Sequence, residues 1–370
     1  MSLKKILYIW GSQSLFIAQN LSKELTNFFS RDEIETIARQ TDFVSRKSKK
    51  LDGFSFLTSL LFSELNQSEL SLNDLSVQIK NKFGIALSKQ ALQGRFSERS
   101  VEFMKLVLSL FLKKFINSMP ATDTPFSFRN LRIKDSTCFQ LPANMSYKYP
   151  GPGGSDSGAV IRIQFEFDYT TGQVYDLSLH AFKNQDQINS KDTIDNINSG
   201  DVIIRDLGYI SIEVLSAIES RGAFYLNRLQ NNISVYELKK GKFELVNFKE
   251  IQSYLKKKRL NMIEKEVYIG QQNRFKTRLI IELMPEPEVE KRLRNIEKKA
   301  KQGKRTANNE NKARAVLNIF ITNMSSDDLP LEKARSLYRL RWQIELVFKV
   351  WKSVMGVHKV KKVKLERFET

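Results

Sequence analysis

The sequence contains very few of the side chains that bind soft metals or cross-link a chain. It has one cysteine, Cys138, and two histidines, His180 and His358. A single cysteine excludes an internal disulfide and argues against a cysteine-based zinc site. So few histidines argue against histidine-rich metal or acid–base chemistry. We therefore expect any bound metal to be a hard cation held by carboxylate oxygens.

Long apolar runs are also missing. No stretch of the sequence approaches the ~20 apolar residues of a membrane span. The apolar segment near the N-terminus is interrupted by Gly11 and lacks the small-residue cleavage site that ends a signal peptide. The sequence therefore predicts no membrane partner and a cytoplasmic location.

The chain has far fewer acidic than basic residues. The chain of 370 residues has 60 Lys and Arg against 41 Asp and Glu, a net charge of +19. An excess of this size indicates a polyanionic partner. Because the basic residues are spread along the chain and not gathered on one amphipathic segment, nucleic acid is favoured over a membrane surface.

Residues 1–120 predict a helical DNA-binding domain. They contain almost no proline or glycine, and their apolar residues recur at helical spacing. The stretch LSVQIKNKFGIALSKQALQGRF predicts two helices around a turn at Gly84, with Ser88 capping the second helix. In a helix-turn-helix, that second helix would present these side chains to a DNA groove: Lys89, Gln90, Gln93 and Arg95. Plain packing of two helices is an equally good interpretation of the pattern.

Beyond a predicted linker at residues 120–125, alternating strand patterns replace the helical ones. Residues 121–229 predict the first part of an α/β core: a strand ending at Asp135, a hairpin around residues 168–172, a strand ending at Asp206, a helix and a strand. Residues 230–328 predict a β-rich insertion with a charged helical arm. Residues 329–370 predict a core helix that runs unbroken from 331 to 354.

That C-terminal helix carries its polar residues on one narrow stripe. On a helical wheel, four side chains share an arc opposite the apolar face: Tyr338, Arg341, Glu345 and Lys352. A surface helix would spread its charges over a wide solvated face, so we predict a mostly buried helix with one polar stripe. The alternative is an ordinary i,i+4 ion pair between Arg341 and Glu345.

Three carboxylates in these elements predict a hard-metal site. Asp135 and Asp206 are predicted at strand ends, where ligand sites gather in sheet proteins. Neighbouring strands lie ~4.8 Å apart, so a helix-borne Glu345 packed across them would complete a site for one or two divalent cations. Oxygen ligands suit Mg²⁺ or Mn²⁺, and two such ions about 4 Å apart would activate an attacking hydroxyl and stabilise the leaving oxygen of a phosphodiester.

The same residues carry a family resemblance. Tyr338-x2-Arg341-x3-Glu345-x6-Lys352 resembles the signature of the insertion-sequence-four family of DDE transposases. Asp135-Ser136-Thr137 is similar to that family's first-aspartate block, and Asp206-Leu207-Gly208-Tyr209 is similar to its second. The long separation between Asp206 and Glu345 is similar to members in which a β-rich insertion interrupts the core. The resemblance covers about residue 131 to the end of the chain.

The resemblance implies a fold and a set of roles. The fold would be a ribonuclease-H-like mixed sheet with flanking helices. Asp135, Asp206 and Glu345 would be the catalytic triad and bind Mg or Mn, as two ions. Tyr338, Arg341 and Lys352 would hold transposon-end DNA, the last two through phosphates.

The implied function is cut-and-paste transposition: strand cleavage at the ends of an insertion sequence, then joining of the freed 3′-hydroxyl to target DNA. A homodimer in the synaptic complex and a nucleoid-associated location go with it. Two alternatives stay open: a truncated or repurposed transposase acting as a non-catalytic DNA-binding repressor, and a metal nuclease that cuts without joining. The chain stops soon after Lys352, where members usually continue with helices used in subunit pairing, which raises the alternative of a truncated copy with an intact triad.

Overall fold

The computed structural model describes residues 29–45, 51–65, 71–117, 128–153, 158–184, 186–230, 233–302, 309–353, 357–360 and 368. The predicted linker at residues 120–125 lies outside these residues. The chain forms two compact units, of which the first is Met1–Thr124, Ser136–Asn184 and Leu346–Thr370. The second is Pro125–Asp135 and Gln185–Glu345.

Helices build the N-terminal part of the first unit. They are α1 (Arg31–Gln40), α2 (Gly53–Leu65), α3 (Leu72–Phe83), α4 (Lys89–Gln93) and α5 (Glu98–Asn117). The predicted turn and cap are confirmed: Gly84 ends α3 at φ +68, and the Ser88 hydroxyl accepts a hydrogen bond from the Ala91 N–H at 3.1 Å. The helices bury a common apolar cluster that includes Ile34, Ile79 and Phe103.

The first unit also contains a small sheet. Its strands are the second half of β1 (Asn130–Leu141), then β2 (Ala159–Asp168) and β3 (Val174–Ala181), in the order β3-β2-β1. The predicted hairpin is confirmed, since β2 and β3 pair antiparallel. The Asp168 carboxylate closes its turn by accepting hydrogen bonds from the backbone N–H groups of Thr170 and Thr171. Gly172, at φ +73, packs so closely on α5 that a Cβ there would overlap the Lys113 backbone.

The prediction that the first strand stops at Asp135 is wrong. β1 continues six residues further, to Leu141. The strand continues past Asp135 because β2 provides the neighbouring strand for this second half. A carboxylate inside a strand is tolerated here because the Asp135 side chain has polar partners.

A larger mixed sheet forms the second unit. Besides the first half of β1, its strands are β4 (Asp201–Arg205), β5 (Phe224–Arg228), β6 (Val235–Lys239), β7 (Lys242–Leu245), β8 (Met262–Ile269), β9 (Phe275–Leu283) and β10 (Leu317–Thr322). Their order is β1-β4-β5-β10-β9-β8-β6-β7. β1, β4 and β5 are parallel, and every other pairing is antiparallel.

Helices pack on this sheet and connect its strands. They are α6 (Asp186–Asp192), α7 (Ile212–Ser220), α8 (Phe248–Lys258), α9 (Glu286–Gln302), α10 (Asn309–Ala315), α11 (Leu331–Arg339) and the start of α12 (Trp342–Ser353). Apolar residues of α7 and α8, such as Val214 and Leu255, share one buried cluster with strand residues such as Ile203 and Ile281. No helix in the described part of the chain is long and apolar enough to cross a membrane.

The predicted single helix from 331 to 354 is wrong, because the chain forms α11 and α12 with a turn between them. At the turn, the N–H groups of Leu340 and Arg341 donate to carbonyls three residues back, those of Leu337 and Tyr338, each at 3.1 Å. Leu340 has φ −60 and ψ −23, the geometry of a 3-10 turn. A helical wheel drawn across this turn therefore uses the wrong rotation per residue.

Candidate active site

The strand register places the two aspartates side by side. Lys134 and Arg205 are the last paired residues of β1 and β4, so Asp135 and Asp206 are the next residues on the two neighbouring strands. β4 ends there, and Asp206 begins the short 3-10 helix Leu207–Tyr209. Asp135 is therefore at a strand end only with respect to its partner β4.

One guanidinium joins the two aspartates to the glutamate. Arg341 Nη1 donates to Asp135 Oδ2 at 2.8 Å and lies 3.8 Å from Asp206 Oδ1. Its Nη2 donates to Glu345 Oε1 at 2.7 Å. Because one nitrogen contacts both aspartates, the two carboxylate oxygens are at most about 6.6 Å apart, the sum of those two distances. The structure thus brings three distant acidic residues around a single cation.

The turn between α11 and α12 positions this cation. Arg341 is only 9% exposed, whereas the side chains of Asp206 and Glu345 are 43% and 46% exposed. The buried guanidinium lies 5.9 Å from the centre of the Tyr338 ring, and that ring packs 5.5 Å from Phe320. The carboxylates of Asp206 and Glu345 accordingly face solvent, while Asp135 and the arginine lie mostly buried.

Burial and nearby charges determine the protonation states of Arg341 and Tyr338. Burial lowers the pKa of Arg341, but the acidic groups of Tyr338 and the three carboxylates outweigh it, and the net shift is upward. Burial raises the pKa of Tyr338 to about 12. At neutral pH the site therefore contains a charged arginine and a neutral phenol.

The donor set fits a divalent metal if Arg341 moves aside. In the described residues no group of three acidic, histidine or cysteine side chains is arranged as an assembled metal site, since the guanidinium lies among the carboxylates. The donors are carboxylate oxygens alone, which hard cations prefer. They already neutralise one positive charge, and two of them are open to solvent.

Lys352 continues α12 about two turns beyond Glu345. Its Nζ donates to the carbonyl oxygen of Cys138 at 3.0 Å, and both residues belong to the first unit. An ammonium has three donors, so two remain for other acceptors.

Two buried basic side chains, on the strands that lead to the aspartates, are not predicted by the sequence patterns. Lys134 Nζ donates to Thr193 Oγ1 at 3.1 Å, and Arg205 Nη2 donates to the same oxygen at 3.0 Å. Both side chains are almost fully buried. They fasten the segment after α6 to β1 and β4, on the face opposite the aspartates. The pattern of a basic residue directly before each aspartate, KD and RD, is the signal that could have found them.

The side chains predicted for DNA contact in the first unit differ in their availability. Lys89 and Gln90 are exposed, and Gln93 is half-buried. Arg95 is engaged with Phe43: its guanidinium lies 5.6 Å from the ring centre, and Nη1 donates to the Phe43 carbonyl at 3.3 Å.

A mixed sheet that gathers two aspartates and a helix-borne glutamate at one edge is expected of a metal-dependent DNA-processing enzyme. Comparison with known proteins agrees. Residues 126–370 match the family model described as Transposase DDE domain. The chain is 33% identical over 366 residues to the transposase for insertion sequence element IS231F of Bacillus thuringiensis subsp. israelensis, covering 95% of this chain and 76% of that protein.

Two further relatives have similar names. The chain is 32% identical to the transposase for IS231E of Bacillus thuringiensis subsp. finitimus, covering 98% of this chain and 78% of that protein. It is 31% identical to the transposase for IS1151 of Clostridium perfringens, covering 94% and 76%. The chain belongs to the DDE transposase family. Its core is the ribonuclease-H-like fold of that family, whose members are enzymes that act on DNA and use divalent metal ions.

Proposed function

We propose that this protein is the transposase of an insertion sequence, which cleaves a strand at the element's end and joins the freed 3′-hydroxyl to target DNA. The observation that carries the proposal is the convergence of Asp135, Asp206 and Glu345 on Arg341. Family membership makes DNA the substrate class, and the cut-and-paste route is part of the proposal.

The three carboxylates are the proposed ligands of Mg²⁺ or Mn²⁺, as two ions. When bound, such ions activate the attacking hydroxyl and stabilise the leaving oxygen of the phosphodiester. Arg341 balances the carboxylate charge beforehand and then becomes available to a phosphate. Tyr338 supports the arginine from below as a neutral phenol. Lys352 uses its two remaining donors on a phosphate near the cleaved end.

End recognition is assigned to α4. The exposed side chains of Lys89 and Gln90, with the half-buried Gln93, are the proposed groove contacts, while Arg95 supports them through its contact with Phe43. A homodimer in the synaptic complex and an association with the nucleoid complete the proposal.

The test incubates the full chain with genomic DNA that flanks its own gene, with Mg²⁺ or with EDTA. The proposal expects Mg²⁺-dependent nicks at the two element ends and covalent joining of those ends to a second plasmid. Nicks without joining would assign a nuclease of the same fold. End-specific binding without nicks would assign a repressor, and either result overturns the proposal.

A further inference from the structure

A cavity beside the charged helix α9 has three arginines in its wall. It has a volume of about 250 Å³ and lies between α9, the end of β5, the end of α10 and the start of β10. Its polar lining consists of Arg228, Arg292, Asn295 and Arg314, and the rest of its lining is apolar. We call it the arginine cavity, and every residue that lines it belongs to the second unit.

Two of the three arginines are held in place by polar groups around the cavity. Arg292 donates from Nη1 to the carbonyl oxygen of Leu317 at 3.1 Å and from Nη2 to Asn318 Oδ1 at 2.9 Å. Arg314 is only 6% exposed, and Nη1 and Nη2 each donate to the carbonyl oxygen of Ile233 at 3.3 Å. These guanidinium groups are therefore positioned in advance, which lowers the conformational cost of binding a ligand.

The third arginine, Arg228, adds positive charge without supporting the fold. It is half-buried at the end of β5, and it forms no hydrogen bond or ion pair with the residues that the structure describes. Burial, and after it the charge of Arg228, lowers the pKa of Arg292 to about 10. In the described part of the chain, the one acidic side chain that acts on Arg292 is Glu288, and Arg335 binds it at 3.2 Å. The protein therefore places a surplus of positive charge around the arginine cavity.

The size and depth of the arginine cavity suit a small phosphate anion. Its volume of about 250 Å³ is below the roughly 300–1,000 Å³ of pockets that take drug-sized ligands. Arg314 is almost completely buried, whereas a DNA duplex presents its phosphates on a broad convex surface. Planar guanidinium groups bind phosphate oxygens in pairs, and the exposed amide of Asn295 adds a neutral donor. A free phosphate or pyrophosphate therefore fits better than the backbone of a duplex.

We infer that the arginine cavity binds a small free phosphate anion of about the size of pyrophosphate, which Arg228, Arg292 and Arg314 contact together. The three arginines belong to β5, α9 and α10, so the bound anion fastens both helices to the sheet. The inference goes beyond the proposed function and does not depend on it, because none of these residues belongs to the proposed metal site.

The test is calorimetric titration of the full chain with inorganic pyrophosphate, in EDTA and at constant ionic strength. The main variant is Arg228→Gln, and its matched control is Arg294→Gln, an exposed arginine of α9 that pairs with Glu290 at 2.8 Å outside the cavity lining. A second variant, Asn295→Asp, places a carboxylate in the lining and keeps the inference testable if Arg228→Gln fails to fold. Thermal unfolding without pyrophosphate verifies that each variant is folded.

The inference expects pyrophosphate affinity to fall at least about tenfold in Arg228→Gln and in Asn295→Asp, and to stay unchanged in Arg294→Gln. Without the anion, Arg228→Gln should unfold at the parent temperature or above it, because a charge that repels Arg292 is removed. Parent affinity in both lining variants, an equal loss in Arg294→Gln, or no binding by the unmodified chain overturns the inference.

A further titration separates a free anion from a phosphate of DNA. Pyrophosphate is titrated into the unmodified chain that is already saturated with a random-sequence duplex, again in EDTA. The inference expects the duplex to leave pyrophosphate binding unchanged. If the duplex abolishes that binding and Arg228→Gln also weakens duplex binding about tenfold, the cavity takes a DNA phosphate and the inference is overturned. Failure of the chain to cleave element ends overturns the proposed function alone, because pyrophosphate binding is measured without metal or cleavage.

Discussion

At the scale of single residues, Arg341 explains how three acidic side chains share one site before a metal arrives. A carboxylate cluster without a cation would be destabilised by like-charge repulsion. The Arg341 guanidinium relieves it by contacting all three, at 2.8, 3.8 and 2.7 Å. Under the proposed function, a divalent ion would compete with the arginine for the same oxygens.

This competition predicts that Arg341→Ala binds Mn²⁺ more tightly in the absence of DNA. A charge-assisted hydrogen bond contributes about 1.5–3 kcal/mol, so the affinity should rise roughly tenfold or more, and the metal-free protein should unfold at a lower temperature. Calorimetric titration and thermal unfolding measure the two effects. Arg335→Ala, which removes an arginine paired with Glu282 and Glu288 outside the cluster, is the control. Weaker or unchanged Mn²⁺ binding by Arg341→Ala would contradict the competition.

Replacing Lys352 is expected to weaken DNA binding and not metal binding. Lys352→Ala removes an ammonium that has two donors beyond its bond to the Cys138 carbonyl. We expect end-DNA affinity to fall by about 1–3 kcal/mol while metal binding stays unchanged. Lys349→Ala, an exposed lysine one turn earlier on α12, is the control. Fluorescence anisotropy with end DNA across a Mg²⁺ titration measures both the DNA affinity and its dependence on metal. Equal losses of affinity in Lys352→Ala and Lys349→Ala would mean a general charge effect.

At the scale of elements, the features that depend on residues nearby in the sequence could be predicted. The features that depend on strands or helices from distant parts of the sequence could not. The cap at Ser88 and the β2–β3 hairpin depend on local spacing, and the structure confirms both. The length of β1 depends on β2, which lies elsewhere in the sequence, so its end was misplaced. Neither β7 nor α8 is predicted from the sequence. β7 is only four exposed residues, so it lacks a buried face that a pattern could indicate. In α8 the buried residues Phe248, Ile251 and Leu255 do recur at helical spacing, so that helix could have been predicted.

The same reasoning applies to the candidate site. The motif spacing identified the residues that contact one another, Arg341, Glu345 and the two aspartates. The motif spacing does not predict the turn between α11 and α12, because Leu340 and Arg341 are compatible with a continuous helix. The contact between Arg341 and Asp135 joins residues 206 positions apart and depends on the tertiary fold alone.

Two side chains at α4, Gln90 within it and Arg95 just after it, are expected to affect different properties: DNA discrimination and stability. Gln90 is exposed, so Gln90→Ala should lower the discrimination between end and random DNA by about 1–3 kcal/mol without changing stability. Arg95 contacts Phe43, so Arg95→Ala should lower the free energy of unfolding by about 1 kcal/mol. Binding assays and denaturant unfolding measure both variants. If Gln90→Ala weakens binding to both DNAs equally, α4 touches only phosphates.

At the scale of the whole molecule, the net charge of +19 governs how the protein meets DNA. Each phosphate contact on a duplex adds about −0.9 to the slope of log affinity against log salt. We therefore expect a steep negative slope for end DNA and for random DNA alike, measured in metal-free buffer. A slope near zero between low and moderate salt would exclude a large phosphate interface.

The central claim is that Glu345 acts as a metal ligand and not as half of an ordinary ion pair. Glu345→Gln keeps an oxygen that accepts from Arg341 Nη2 and removes the charge that a divalent ion requires. The matched control is Glu332→Gln, an exposed glutamate in the first turn of α11.

The most direct measurement is single-turnover cleavage of end DNA by both variants over a Mg²⁺ titration. The account predicts that Glu345→Gln binds end DNA like the parent but cleaves roughly a hundredfold more slowly or not at all, while Glu332→Gln cleaves at the parent rate. Cleavage by Glu345→Gln at the parent rate would contradict the account.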